Sequence, residues 1–389
     1  PMLTHTYTYP AGTKVHGLEL VELRHNTTDA RSPLSILPAK PTINGAAPLT
    51  APVTNHLMGS DSYPKCWYEL EVRQGLDPDT LQPTVFATVR LYPVRVNGSS
   101  LNYLTEFKAK LNVTRSSEKE SRGDAAMMII APQEFLDNMN DFVLHKTAVG
   151  VELVTRSMED IIANETGRDD AEKVKYAIYN AAMDNPLGYV LLAGDADRIP
   201  VRYTFHFDYA SSPDWQNIPA DLYYADLMDG NGDFCDWDGN ANDIFGEFNN
   251  ANIDNCDFAP DVLIGRIPAS TVAELTGALA KSIYYETNVT GAETWQNRIV
   301  LAAADTFTAE GHGDITGVPE GEATKELIAD ESLAGFDLVK LYETERYPRT
   351  GELTTESLNT AILNGAQYVN FANHGWVQGW AFEGGYDVD

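Results

Sequence analysis

The stretch DDAEKVKYAIYNAAMDNPLGYVLLAGD, residues 169–195, predicts the fold class of the chain. Its first part places apolar residues at helical spacing, with Asp169 or Asp170 as the cap and Pro186 as the end of the helix. Its second part, GYVLLAGD, is an apolar run typical of a strand buried in a parallel sheet. A helix followed by such a strand is the repeating unit of an α/β fold.

The same alternation extends in both directions from this stretch. Upstream, AMMIIAP and VELVTRS read as strands with a helix between them, and downstream the strand-like segments are DVLIGRIPA, RIVLAAAD, FDLVKLYE and QYVNFANHG. Helical patterns separate the downstream segments, as in TVAELTGALAKSIYYETN, EGEATKELIAD and TTESLNTAILNG. This order predicts a doubly wound, mostly parallel sheet in two halves, on either side of an acidic region.

Residues 1–120 have a different pattern. The segment TVFATVRLYPVRV alternates apolar and polar residues, and proline and threonine are dense around it, so this part is expected to be a β-rich domain. The polar segment TRSSEKESRGDA, residues 114–125, reads as a linker. We therefore expect two domains, 1–120 and 121–389, the second of them incomplete at its carboxyl end.

Composition limits the partners and the location of the chain. Its 389 residues carry a net charge of −30, which argues against nucleic acid and anionic membranes as partners. No apolar run is long enough to span a membrane. Three cysteines are too few for a disulfide framework, although Cys235 and Cys256 flank the acidic region and could pair in an oxidising compartment. Asn-x-Ser/Thr triplets permit a secreted or cell-surface location.

The segment QYVNFANHGWVQGW, residues 367–380, places His374 at the end of a predicted parallel strand. Ligands of open parallel sheets bind at that end of the strands. His374 could act as a general base, Gly375 could offer its backbone N–H to a substrate oxygen, and Trp376 and Trp380 could form apolar pocket walls. These are the groups that acyl transfer needs, but no cysteine of the chain lies at a predicted strand end.

The segments YVNFANHGWVQGW, YVLLAGDADRIP, DLYYADLMDGNGD, PDVLIGRIPAS and YYETNVTGAETWQNRIVLAAAD together resemble gingipain-type cysteine peptidases. The resemblance covers about residues 125–389 and implies a caspase-like fold. It also implies that the nucleophilic cysteine follows one helix and one strand after His374, beyond Asp389, so that residues 1–389 alone would be inactive. Asp305 matches the carboxylate that orients the histidine, and its alternative role is to cap the next turn.

The same family often has an acidic residue between the strand that ends at Asp305 and the next helix, where it recognises a basic P1 side chain of the substrate. Asp314, Glu320 and Glu322 are the candidates here.

The acidic region contains DWDGNANDIFGE, residues 236–247, which has the spacing of a calcium-binding loop. Its five expected ligands are side-chain or backbone oxygens of Asp236, Asp238, Asn240, Asn242 and Glu247. Only the sixth position departs, with Ala241 where glycine is usual. The alternative is a surface turn rich in Asp and Asn. Gingipain-like proteins also bind calcium, so the resemblance favours a structural Ca²⁺.

The sequence thus predicts a cysteine endopeptidase acting on proteins or peptides, whose active centre needs the missing carboxyl-terminal part of the chain. One alternative is a non-catalytic, calcium-binding surface or scaffold protein with a degenerate peptidase fold. Another is a metallohydrolase using His312 and His374, which lacks the usual spacing of metal ligands.

Overall fold

The computed structural model describes residues 2–29, 62–80, 82–97, 100–114, 126–184, 187–205, 216–247, 253–254, 256–289, 291, 293–306, 318–376, 379–380 and 386–387. The chain divides into two compact units, Pro1–Leu34 with Leu57–Glu286 and Ser35–His56 with Thr287–Asp389. The first unit contains both the β-rich part and the first parallel sheet. The boundary expected near residue 120 therefore separates two parts of one unit. Of the expected linker, Thr114 is the last residue of a strand, and residues 115–125 lie outside the described residues.

The β-rich amino-terminal part is antiparallel. Its described residues form six strands: β1 (Leu3–Pro10), β2 (Lys14–Asp29), β3 (Tyr68–Leu76), β4 (Pro83–Leu91), β5 (Val94–Asn97) and β6 (Ser100–Thr114). They form two three-stranded sheets, ordered β1-β4-β3 and β2-β6-β5. Val85 and Ala87, which the alternation predicts on one face, are both fully buried.

The first unit continues with a parallel sheet and its helices. Its elements are β7 (Ala126–Ala131), α1 (Gln133–Leu136), α2 (Asn140–Ala148), β8 (Leu153–Ser157), α3 (Met158–Asn164), α4 (Asp170–Asp184), β9 (Leu187–Ala193), β10 (Arg202–Phe205), β11 (Gln216–Ala220), α5 (Leu222–Ala225), β12 (Leu263–Ile267) and α6 (Val272–Asn288). The parallel sheet has the order β12-β9-β7-β8. The apolar strand β7 is buried on both faces, by α4 on one side and by α1, α2 and α6 on the other.

The second unit repeats this arrangement. Its elements are a short 3₁₀ helix (Thr294–Asn297), β13 (Arg298–Ala303), α7 (Glu320–Ser332), β14 (Asp337–Tyr342), β15 (Gly351–Glu352), α8 (Thr355–Leu363), β16 (Tyr368–Ala372), β17 (Gly375–Trp376), β18 (Gly379–Trp380) and β19 (Tyr386–Asp387). The parallel sheet has the order β15-β14-β13-β16, with β13 in the centre. One face of β13 packs on α7 and the other on α8. The chain leaves β16 into an antiparallel hairpin of β17 and β18, with β19 beside β18.

The predicted α/β class is confirmed, and three local predictions change. The helix expected after β7 is two helices, because the chain turns at Asp137–Met139 between α1 and α2. Helix α3 was not predicted; Ser157 begins it by accepting a hydrogen bond from the Asp160 backbone N–H. The segment DVLIGRIPA, expected to open the second half, pairs as β12 with β9 in the first sheet.

Candidate active site

Three strands of the second unit end together at one edge of its sheet. Residues Ala303, Tyr342 and Ala372 lie side by side in β13, β14 and β16. The residues that follow them are therefore neighbours across the edge: Asp305 after β13, Glu343 and Thr344 after β14, and Asn373 and His374 after β16. This is the edge at which parallel α/β sheets bind ligands.

The packing of β13 and β16 shows which of their side chains lie on the face of the sheet that α7 covers. Ala303 packs in the cluster on the α7 side, and Ala372 lies against the same cluster. Lys325 of α7 donates a hydrogen bond from Nζ to Oδ1 of Asn370, which fixes that face of β16. The side of the sheet that faces α7 is therefore the side on which Ala303, Asn370 and Ala372 lie.

Helix α7 begins directly on this edge because its second residue is glycine. A Cβ added to Gly321 would lie 2.4 Å from the carbonyl oxygen of Ala304 and 2.5 Å from that of Ala372. A carbon and an oxygen normally stay more than about 3.3 Å apart. Any side chain at residue 321 would therefore push the first turn of α7 away from the ends of β13 and β16.

His374 itself is exposed, and its backbone N–H donates to Oδ1 of Asn373 at 2.8 Å. The next residue, Gly375, is exposed and pairs with Trp380 in the hairpin that leaves the edge. The ring of Trp380 stacks on Phe371 with a centroid distance of 4.8 Å, and Phe371 packs on the α8 side of the sheet. Trp380 thus belongs to the packing of the hairpin on β16, while the side chain of Trp376 is outside the described residues.

The acidic candidates for substrate recognition differ in their surroundings. Glu320 is the first residue of α7 and is half-buried, whereas Asp314 lies outside the described residues. Glu322 is fully buried, and its two carboxylate oxygens accept from the backbone N–H and the hydroxyl of Thr344 at 2.7 and 2.8 Å. Burial raises the pKa of Glu322. Both oxygens of the Glu322 carboxylate are thus hydrogen-bonded to the residue that follows Glu343 after β14.

Two residues of this edge have no signal in the sequence that singles them out. Glu343 receives the backbone N–H of Asp305 at 3.1 Å, and Gly321 provides the close approach of α7. Only the place of Glu343 directly after an apolar strand, like Asp305 and His374, could have indicated it.

The loop predicted to bind calcium is closed by an arginine. Arg168 donates from Nη2 to Asp236 at 2.5 Å and from Nη1 to Asp238, and from Nε to Glu172 at 2.9 Å. Although desolvation opposes it, the hydrogen bonds from Arg168 and from two backbone N–H groups hold the pKa of Asp238 below its usual value. The cation that neutralises these two carboxylates is therefore the guanidinium of Arg168.

The other predicted ligands in the loop bond to one another. The side-chain amides of Asn240 and Asn242 donate to Oε2 of Glu247 at 2.8 and 2.9 Å. Ala241, at the position where a calcium loop has glycine, has a φ of 59°, so the backbone is curled as such a loop requires. Among the described residues, no group of three or more His, Cys, Asp or Glu is arranged to hold a metal ion. The side chains of the loop thus reach Arg168 and each other, and calcium binding stays a prediction.

All three cysteines belong to the first unit, and none belongs to the unit that carries His374. Cys66 precedes β3 in the β-rich part, and Cys235 and Cys256 are buried in the core of the first unit. The thiol of Cys256 is hydrogen-bonded to that of Cys235, and this bond and burial raise its pKa. A buried thiol with a raised pKa is a poor nucleophile.

These features define a parallel α/β protein with a histidine and a carboxylate at neighbouring strand ends. The model of peptidase family C25 matches residues 120–389, which is more than half of the chain. The chain belongs to peptidase family C25.

Known proteins similar to this chain include two peptidases of Porphyromonas gingivalis. Gingipain R2 is 23% identical over 270 residues, covering 69% of this chain and 30% of the relative. Gingipain R1 is 23% identical over 269 residues, covering 68% of this chain and 22% of the relative. The chain thus spans less than a third of the length of these curated relatives.

Solved structures similar to this one include the Arg-specific cysteine proteinase gingipain R, with a TM-score of 0.44, 21% identity and coverage of 68% of this chain and 50% of that one. A complex of the pro- and mature domains of the Porphyromonas gingivalis proteinase RgpB has a TM-score of 0.43 and 20% identity, and covers 66% of this chain and 49% of that one.

Proposed function

We propose that the chain is part of a cysteine endopeptidase in which His374 is the general acid and base. The observation that carries this proposal is the position of His374: it is exposed at the carboxyl end of β16, beside the end of β13 where Asp305 lies, in a chain of peptidase family C25. Histidine suits proton transfer because its ordinary pKa is close to neutral pH.

The proposed reaction is acyl transfer through a thiol. The thiol sulfur attacks the peptide carbonyl carbon while His374 takes the thiol proton, and the backbone N–H groups of Gly375 and of the cysteine stabilise the oxyanion. His374 then gives its proton to the leaving amine as the C–N bond breaks. A water molecule, deprotonated by His374, hydrolyses the thioester and regenerates the thiol. Asp305 orients the imidazole during these transfers.

The nucleophile is proposed to lie beyond Asp389, where the resemblance to gingipain-type peptidases implies it. The buried positions of Cys235 and Cys256, and the place of Cys66 beside β3, support this proposal. Residues 1–389 alone are therefore proposed to have no peptidase activity.

Proteins or peptides are the proposed substrates, with a basic P1 side chain. Glu320 is the described candidate for recognising that side chain, because it lies in the first turn of α7 at the edge of the sheet and, unlike Glu322, is not fully buried. An extracellular or cell-surface location is proposed with this function. Among the described residues, no helix is both long and apolar enough to cross a lipid bilayer.

Calcium binding at residues 236–247 stays a prediction. A calcium ion held by Asp236, Asp238, Asn240, Asn242 and Glu247 would replace Arg168 at the first two of these and would stabilise the curl of the loop. The non-catalytic, calcium-binding scaffold is the second candidate function, and the curled backbone at Ala241 favours it over the metallohydrolase.

The experiment uses the full-length protein and fluorogenic peptides that differ only at P1. Arg and Lys peptides are expected to be hydrolysed faster than Leu or Glu peptides. His374→Ala should lower kcat at least about 100-fold, the usual scale for a general acid–base group. His145→Ala is the matched control, because that histidine pairs with Glu286 in the first unit. A His374→Ala protein with normal turnover would exclude the proposed role and favour the scaffold.

A further inference from the structure

We propose that Glu343 is a positioning residue for the reaction, because its carboxylate fixes the backbone of Asp305 at the edge of the sheet. This inference rests on the proposed function, in which Asp305 orients His374. It concerns a residue that neither touches the substrate nor exchanges a proton with it.

Two hydrogen bonds join the ends of β13 and β14, and each strand end donates one of them. The backbone N–H of Glu343 donates to the carbonyl oxygen of Ala303 at 3.1 Å, which continues the ladder between β14 and β13 by one residue. The side-chain Oε2 of Glu343 then accepts the backbone N–H of Asp305, also at 3.1 Å. The chain beyond β13 is therefore held after the strand pairing has ended.

The segment that carries Glu343 is itself anchored on two sides. Glu322 of α7 accepts two hydrogen bonds from Thr344 and is fully buried. Arg349 donates from Nη1 to the carbonyl oxygens of Tyr342 and Glu343 at 2.8 and 3.1 Å. With its backbone fixed by these contacts, the Glu343 carboxylate is presented to Asp305 from a constant position.

A fixed backbone at Asp305 matters because the Asp305 side chain is short. Its carboxylate lies only two bonds beyond Cα, so any displacement of the backbone is passed to it almost in full. A misplacement of about 1 Å in a catalytic arrangement can cost about 100-fold in rate. Without the Glu343 acceptor, the Asp305 N–H would lose the hydrogen bond that fixes its direction, and the backbone at Asp305 would be less constrained.

The experiment compares four variants of the full-length protein by steady-state hydrolysis of a fluorogenic peptide. Glu343→Ala removes the acceptor and should lower kcat by about 10-fold or more, with KM within about 2-fold of the wild-type value. Glu343→Gln keeps a side-chain oxygen at the same distance and should restore kcat to within about 3-fold of wild type. Glu345→Ala is the matched control. It removes the same charge two residues away, where the side chain is 87% exposed and pairs with Arg349 at 3.2 Å. His374→Ala reports on the proposed function itself.

The outcomes separate the two ideas. An active His374→Ala protein would refute the proposed function. An inactive His374→Ala protein together with a fully active Glu343→Ala protein would overturn only the positioning role of Glu343. Equal losses in the Ala and Gln variants would also overturn it, because the charge rather than the acceptor would then matter. Should Glu343→Ala not fold, Glu343→Asp decides: its carboxylate is one methylene shorter and should lose kcat as Ala does, so wild-type turnover would overturn the proposal.

Discussion

Gly321→Ala tests whether α7 must begin directly on the carboxyl edge of the second sheet. The added methyl carbon would lie 2.4 and 2.5 Å from two backbone carbonyl oxygens, which belong to Ala304 and Ala372. Relieving both contacts requires α7 to move by about 1 Å, since such pairs normally stay more than about 3.3 Å apart. Neither oxygen can rotate away, because both belong to the backbone at strand ends.

The expected cost is about 1–3 kcal/mol of unfolding free energy, the usual penalty for overpacking. Gly277→Ala in α6 is the control, because a Cβ there meets no atom within 4 Å and should stabilise its helix by about 0.5–1 kcal/mol. Urea unfolding followed by circular dichroism measures both. A Gly321→Ala protein as stable as Gly277→Ala would refute the packing described for the start of α7.

Three further predictions concern the first unit. Arg168→Gln should lower the melting temperature and enlarge its rise with added calcium, because the ion would no longer compete with the guanidinium for the loop; a melting temperature indifferent to calcium in both proteins would contradict the calcium prediction. The pKa of Asp257 is raised by burial to about 7 from 3.8, so unfolding free energy should fall by up to about 1.4 kcal/mol per pH unit as the pH rises from 4 to 7. Asp257→Asn should make that slope shallower in urea titrations at each pH, and an unchanged slope would contradict the assignment. In the native protein, iodoacetamide should alkylate Cys66 before Cys235 or Cys256, because the last two are only 6% and 2% exposed. Equal alkylation rates for all three, followed by mass spectrometry, would refute the burial of Cys235 and Cys256.

The order of strands and helices was predictable because buried parallel strands and amphipathic helices have distinct periods. AMMIIA is apolar throughout and RIVLAA is apolar after Arg298, and both strands are covered on two faces. The helix at Thr355–Leu363 was also predictable from its cap, since Thr354 and Ser357 form a capping box. His374 was predicted as a candidate from its place at the end of a predicted strand, and Asp305 from the resemblance to gingipain-type peptidases.

The surroundings of the site were less predictable because they depend on contacts far apart in the chain. Nothing near Arg168 shows that it pairs with Asp236 and Asp238, which lie about 70 residues later. The sequence did not indicate that Trp380 stacks on Phe371 across the hairpin, and the role of the tryptophan pair as pocket walls stays a prediction. Glu322 is an acidic residue in the segment where a substrate-binding carboxylate was expected. Only the tertiary structure shows that both of its carboxylate oxygens accept hydrogen bonds from Thr344.

The most direct test of the central claim is the pH dependence of thiol alkylation in the full-length protein. If His374 pairs with a nucleophilic cysteine, that cysteine should react with iodoacetamide well below pH 7, because a neighbouring imidazolium lowers a thiol pKa from about 8.5. In His374→Ala the same peptide, followed by mass spectrometry, should react with a midpoint near pH 8.5. Identical curves in both proteins, or no cysteine with such a profile, would contradict the account.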